Sequence, residues 1–134
     1  MNSIALTMAC CLVTASTAHA ESNEYVPNLT DCASFFGLLS QSQNKHSEGF
    51  KAMAASFSSY AVQVVPRMEL ELELDNSKRR IGALISESKS KDDQSAVSKQ
   101  AEICFSVLKN AEIELWPKLP EPLRSLTPRF LVTD

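Results

Sequence analysis

Past the first two dozen residues, apolar side chains recur at helical spacing in four successive stretches. In the first, Cys32, Phe35, Phe36 and Leu39 fall at i, i+3, i+4 and i+7, which places them on one face of an α-helix. Asn28, with Asp31 three residues on, is positioned to cap that helix, and the polar run 41–46 marks its end and a turn. Ser47 then caps a second helix in which Phe50, Met53, Ala54, Phe57, Ala61 and Val64 repeat every three or four residues. Pro66 must interrupt it, because proline lacks a backbone donor, clashes with the preceding turn and drives the residue before it out of the α region.

From Met68 to Asp75 apolar and acidic residues alternate with a period of two, which taken alone is the signature of a half-buried strand. Composition opposes that reading, since Leu, Glu and Met favour helices over strands. As a helix, the stretch gives an apolar stripe of Leu70, Leu74, Ile81, Leu84 and Ile85, with Asp75 and Arg79 spaced for an i, i+4 pair. A strand would need a partner, and segment 129–133 offers only a marginal ribbon. The expectation is therefore helix. Ser90 and Asp93 have the spacing of a capping box for a last helix, along which Val97, Ala101, Cys104, Leu108, Ala111 and Leu115 step by four, three, four, three and four. Pro117 ends it at or before Trp116, and Pro120, Pro122 and Pro128 are expected to keep the tail irregular.

Cys32 and Cys104 both face the core in this scheme, and their separation selects the layout. One straight helix over 47–90, roughly 44 residues, would span about 65 Å and hold the cysteines on the order of 20 Å apart. A disulfide needs Cα atoms within about 7 Å. Folding back near Pro66 shrinks the axial mismatch to roughly 10 Å, which a shift of a few residues in the helix boundaries absorbs. The predicted fold is all-α: a small antiparallel bundle of three to four helices, with a kink or break near Pro66 and one disulfide. Its helical core covers 28–116, and 117–134 forms a Pro-rich C-terminal tail.

The beginning of the chain differs in kind. All 13 basic and 16 acidic residues lie after Ala20, and 4–13 is an apolar run of signal-peptide length, too short for the roughly 20 residues a membrane span requires. Ala18-His19-Ala20 supplies the small-x-small cleavage pattern, placing the cut between Ala20 and Glu21, although Met1-Asn2-Ser3 carries no basic side chain. Two other readings are an N-terminal core helix that stays attached and a lipoprotein acylated at Cys10 or Cys11, although Thr7-Met8-Ala9 lacks the usual leucine three residues before the acylated cysteine. The signal reading divides the chain into a signal peptide, 1–20, and a single domain, 21–134, with no membrane span in the mature chain. It sends the protein to the periplasm or beyond, in a bacterial setting. Cys10 and Cys11 then leave with the leader, and Cys32 and Cys104 are free to form the one intramolecular pairing that an oxidising compartment allows.

Net charge of −3, with Lys78-Arg79-Arg80 as the sole basic cluster, excludes the basic stripe of a nucleic-acid binder. Candidate chemistry is sparse. His46 is the histidine left after cleavage and lies in a turn, too few ligands for zinc. The serines sit in no nucleophile elbow, and Gly37, Gly49 and Gly82 are too scattered for a phosphate loop. Glu69, Glu71, Glu73 and Asp75 alternate like calcium ligands but lack the turn glycine, and Arg80 stands where a closing Glu is required. No catalytic, cofactor-binding or metal-ligating residue is assigned, and no cofactor is implied. Phe35, Phe36, Phe50, Phe57 and Phe105 are expected in the interior, with Tyr60 less determined and Trp116 a candidate anchor for a partner.

The helix start Asp31-Cys32-Ala33-Ser34-Phe35-Phe36 resembles that of small exported bacterial proteins, and two cysteines stapling helices are also used by the acid-stress periplasmic chaperones. The cysteine separation here is wider than in that chaperone family, so no function is carried over. The expectation is a noncatalytic interaction protein with an unknown protein partner: an adaptor, an inhibitor or immunity-type binder, or a stress chaperone. The alternatives are an enzyme with a carboxylate site and a structural envelope component, and the oligomeric state is left open.

Overall fold

The computed structural model describes residues 27–132 apart from residue 43; the expected signal segment 1–20, its expected cleavage point at Ala20 and Glu21, Cys10 and Cys11 lie outside the described residues. Five helices follow in order: α1 over 27–39, α2 Ser47–Val64, α3 Arg67–Lys91, α4 Ser95–Glu114 and a short α5 Glu121–Leu126, with a 3-10 turn Trp116–Lys118 between the last two. No strand occurs among the described residues, so the alternating segment 68–75 is helical, as Leu and Glu favour. The four long helices pack as an antiparallel bundle, and Cys32 on α1 is bonded to Cys104 on α4 with Cα atoms 5.4 Å apart.

The breaks follow local chemistry. Val65 is extended at φ −104° and ψ 129°, as the residue before a proline must be, and the Pro66 carbonyl accepts the Leu70 amide at 3.0 Å to open α3. Ser58 and Leu74, each eight residues from Pro66, line one cavity, so α2 and α3 form a hairpin. The next reversal occupies 92–94. Asp92 closes α3 in the left-handed region at φ 50°, which Asp tolerates better than most residues, and the Asp93 carboxylate accepts the Ser95 amide at 3.0 Å.

Several expected caps are displaced. α1 already includes Pro27, a residue suited to a first turn, so Asn28 lies inside the helix. Ser47 is the first residue of α2, and its hydroxyl donates to the Asn44 carbonyl while the Asn44 side chain accepts the His46 amide. No Ser90–Asp93 box forms, because α3 runs on through Ser90 to Lys91. The tail is not wholly irregular either: Pro122 lies in the first turn of α5, where its missing donor costs no hydrogen bond.

α1 is the hub. Leu29, Thr30 and every residue from Cys32 to Phe36 are buried, a wider band than the predicted face. The Phe36 ring lies 5.2 Å from Phe35, 5.7 Å from Phe50, 5.9 Å from Phe57 and 5.9 Å from Phe105, so one aromatic joins α1 to α2 and α4. Such ring pairs contribute about 0.5–1.5 kcal/mol beyond burial. Tyr60 is fully buried, whereas Phe105 keeps 39% of its surface exposed, because its neighbour Cys104 takes the inward position on α4.

Polar groups complete the interior. On α3 the inward stripe passes through Ser77, whose hydroxyl donates to Thr30 Oγ1 at 2.8 Å, and Arg80 pairs with Asp31 at 2.7 Å beside it. Beyond α4 the chain doubles back as a strap: the backbone amides of Phe130, Leu131 and Val132 donate to the carboxylate of Glu112, at 2.8, 2.9 and 2.8 Å, although Glu112 is only 1% exposed. Trp116 Nε1 donates to the Thr127 carbonyl at 2.8 Å, and the Arg129 guanidinium stacks 4.1 Å from the Trp116 ring centre.

Two expectations follow. Replacing both cysteines by serine removes a link across 72 residues, which in the chain-entropy model stabilises by about 4 kcal/mol, so the double variant should melt well below the oxidised parent in a reversible thermal scan. Glu112→Ala leaves three amide donors without their acceptor, at a cost of about 1–3 kcal/mol. Hydrogen exchange should then speed up selectively at Phe130, Leu131 and Val132; unchanged protection there would refute the strap.

Candidate interaction surface

A helix turns about 100° per residue, so the alternation of 68–75 sends its apolar side chains to two opposite faces. Leu70 and Leu74 turn inward and continue through Ser77, Ile81, Leu84 and Ser88. Met68 and Leu72 turn outward, 94% and 60% exposed, and head a second line of residues: Asp75, Arg79, Ala83, Ser86 and Ser90, stepping by three or four and all exposed. This outer ridge runs the length of α3, about 37 Å for its 25 residues. A methionine and a leucine thus stand in water one turn apart on the same helix face, and apolar side chains exposed together mark candidate interaction sites.

The charges on α3 are segregated. From Arg67 to Asn76 one arginine stands against Glu69, Glu71, Glu73 and Asp75; from Ser77 to Lys91 five basic residues stand against Glu87. That order suits the helix dipole, with anions near the N-terminus and cations near the C-terminus. The expected Asp75–Arg79 pair is not made. Arg79 bonds instead to the Asn76 side-chain oxygen at 3.0 Å, while among the described residues the Asp75 carboxylate has neither ion pair nor hydrogen bond. Glu87 and Lys91 do pair, at 2.6 Å, and this hydrogen bond holds the Glu87 carboxyl below its ordinary pKa and the Lys91 ammonium above its own.

The other candidate residues fall elsewhere. His46 is exposed in the α1–α2 turn, its ring 6.2 Å from Phe50. The acidic comb is dispersed around α3, and among the described residues no three His, Cys, Asp or Glu side chains converge to hold a metal ion. Trp116 is half-buried and held by its own strap, so the helix-end anchor foreseen for a partner is already occupied. Among the described residues no helix is long and apolar enough to cross a membrane.

A shallow cavity of about 500 Å³ opens between α1, α2 and α3, lined by Ala33, Ser34, Gly37, Leu38, Leu74 and Lys78 among others. The Ser34 hydroxyl is buried there without a hydrogen-bond partner among the described residues. Gly37 sits on its wall, and a Cβ built on it meets nothing within 4 Å.

The ridge is easily passed over in the sequence, where the alternation poses a choice between helix and strand. The signal is nevertheless present: once the segment is taken as helix, every second apolar residue is left without a core to enter. The architecture is thus a disulfide-stapled four-helix bundle, closed by a C-terminal strap and presenting an apolar, charge-divided ridge. No protein family, curated protein or solved structure matches the chain.

One consequence concerns the cavity wall. Gly37 lies within α1 in ordinary helical geometry, so Gly37→Ala should raise stability by about 0.5–1 kcal/mol in urea unfolding, through lower backbone entropy in the unfolded chain. A loss of stability would mean that the space beside Gly37 is filled.

Proposed function

We propose that this chain is an exported, noncatalytic interaction protein that takes a protein partner on the outer ridge of α3. The observation that carries the reading is the exposure of Met68 and Leu72 on a helix otherwise well packed on its inner side. Apolar anchors beside carboxylates suit a partner surface with an apolar pocket edged by basic side chains, since complementary charge guides docking and contact area supplies the affinity. Export is supported by the uncharged first twenty residues and by the buried disulfide, a bond that persists in oxidising compartments. Whether the role is that of an adaptor, an inhibitor or immunity-type binder, or a stress chaperone follows from the identity of the partner.

A photoreactive amino acid placed at Leu72 in the full-length protein, expressed in cells, tests this directly. Cross-linking at Leu72 is expected to give one discrete adduct, while the same group at exposed Lys51 on α2 gives none. Equal labelling at the two positions, or none at Leu72, would refute the surface. Mass spectrometry of the same purified material should find Glu21 as the first residue.

A further inference from the structure

We infer that the partner seated on this ridge is a second copy of the same chain, with the two α3 helices laid antiparallel about a twofold axis; the inference rests on the ridge being the interaction surface. Charge selects the orientation. Parallel α3 helices would set four carboxylates against four, whereas antiparallel ones lay the acidic half of each along the basic half of the other.

The ridge residues also fit one register. With the axis midway between Asp75 and Arg79, each Asp75 faces the Arg79 of the other copy, so the contact is made twice. Leu72 then lies over Ala83 and Met68 over Ser86. The two large exposed side chains meet two small ones, which allows the helix axes the approach of about 8–10 Å that side-chain packing requires.

Asp75 and Arg79 are available for this role. They stand one helical turn apart in the same chain without pairing, and among the described residues the Arg79 guanidinium has only the neutral Asn76 side chain as its partner. Across the axis each guanidinium gains a carboxylate. Six ridge residues per copy, from Met68 to Ser86, make a small interface beside the roughly 800 Å² per partner of a standard complex, so the dimer is weak, concentration-dependent and loosened by salt.

The test is sedimentation equilibrium of the intact purified protein. The parent should show a monomer–dimer equilibrium that shifts toward monomer at high salt. Asp75→Arg puts arginine against arginine at the axis, and Arg79→Asp puts aspartate against aspartate, so each variant alone should weaken dimerisation at least tenfold. Mixed in equal amounts they should restore it, because both arginines of the first variant then face the two aspartates of the second. Ala83→Glu, which obstructs the seat of Leu72, should also weaken association. All the substituted positions are exposed, and unchanged far-ultraviolet circular dichroism would show the variants folded.

A parent that stays monomeric at all concentrations overturns the proposal. So does an equal mixture that associates no better than the single variants. A monomeric parent whose Leu72 probe still forms one discrete adduct with a different protein rejects self-pairing while leaving the ridge as an interaction surface; a monomeric parent with no adduct rejects both.

Discussion

A covalent bond between the middle of α1 and the middle of α4 sets the terms for the rest of the bundle. Because Cys32 and Cys104 are held with Cα atoms 5.4 Å apart, the chain between them must leave α1 and return to it. Pro66 makes that return possible by splitting what would otherwise be one long rod. One turn beyond Cys32, Phe36 is brought against Phe105, the residue after Cys104, and the rings of α2 close around it. The sulfur bridge and the aromatic cluster are thus neighbouring parts of one junction, which explains why α1 is buried over more of its circumference than an amphipathic helix at a protein surface would be.

Polar groups fix what the apolar core leaves open. Hydrophobic contact is nondirectional, so helices can slide or rotate against one another with little penalty unless some pairing depends on register. The Thr30–Ser77 hydrogen bond, 47 residues apart in sequence, and the adjacent Asp31–Arg80 pair set α3 against α1 at one height. Glu112 does the same for the C-terminus. A carboxylate taken out of water is costly unless it is fully hydrogen-bonded, and here three consecutive amides 18 to 20 residues downstream meet that demand. Trp116, clasped by Thr127 and Arg129, secures the other end of the strap.

α3 joins the architecture to the proposed function because it carries apolar residues on both faces. Its inner stripe is intermittent, with serine at two of the buried places, and its outer face carries Met68 and Leu72 into solvent. An apolar residue at every second position is an inefficient way to build a buried helix face, but it supplies an inner and an outer apolar line together. Segregated charge along the same helix then gives the outer line a direction. This combination underlies both the interaction reading and the antiparallel pairing proposed for it.

Much of the fold was written in local pattern. The spacing of Phe50, Phe57 and Ala61, the step of Cys104, Leu108 and Ala111, and the break at Pro66 each depend on residues a few positions apart, so periodicity and proline chemistry determined the four long helices and the inward aim of both cysteines. The ridge was half legible: its apolar members were visible, but their exposure follows only once the segment is known to be helical and its inner side is known to pack on α1 and α4. The polar interior was not legible. Nothing near Glu112 distinguishes it from Glu114, and Thr30, Ser34 and Ser77 look like surface residues, because burial of a polar side chain is decided by partners far along the chain. Cap positions and the helical turn in the proline-rich tail were also missed, although they turn on local bonds such as that of the Asn44 side chain to the His46 amide and on Pro122 in the first turn of α5. The sequence by itself determined where the helices lie and which faces seek the core; only the assembled structure decided which polar groups those helices would enclose, since satisfying them required distant amides and hydroxyls to be brought together.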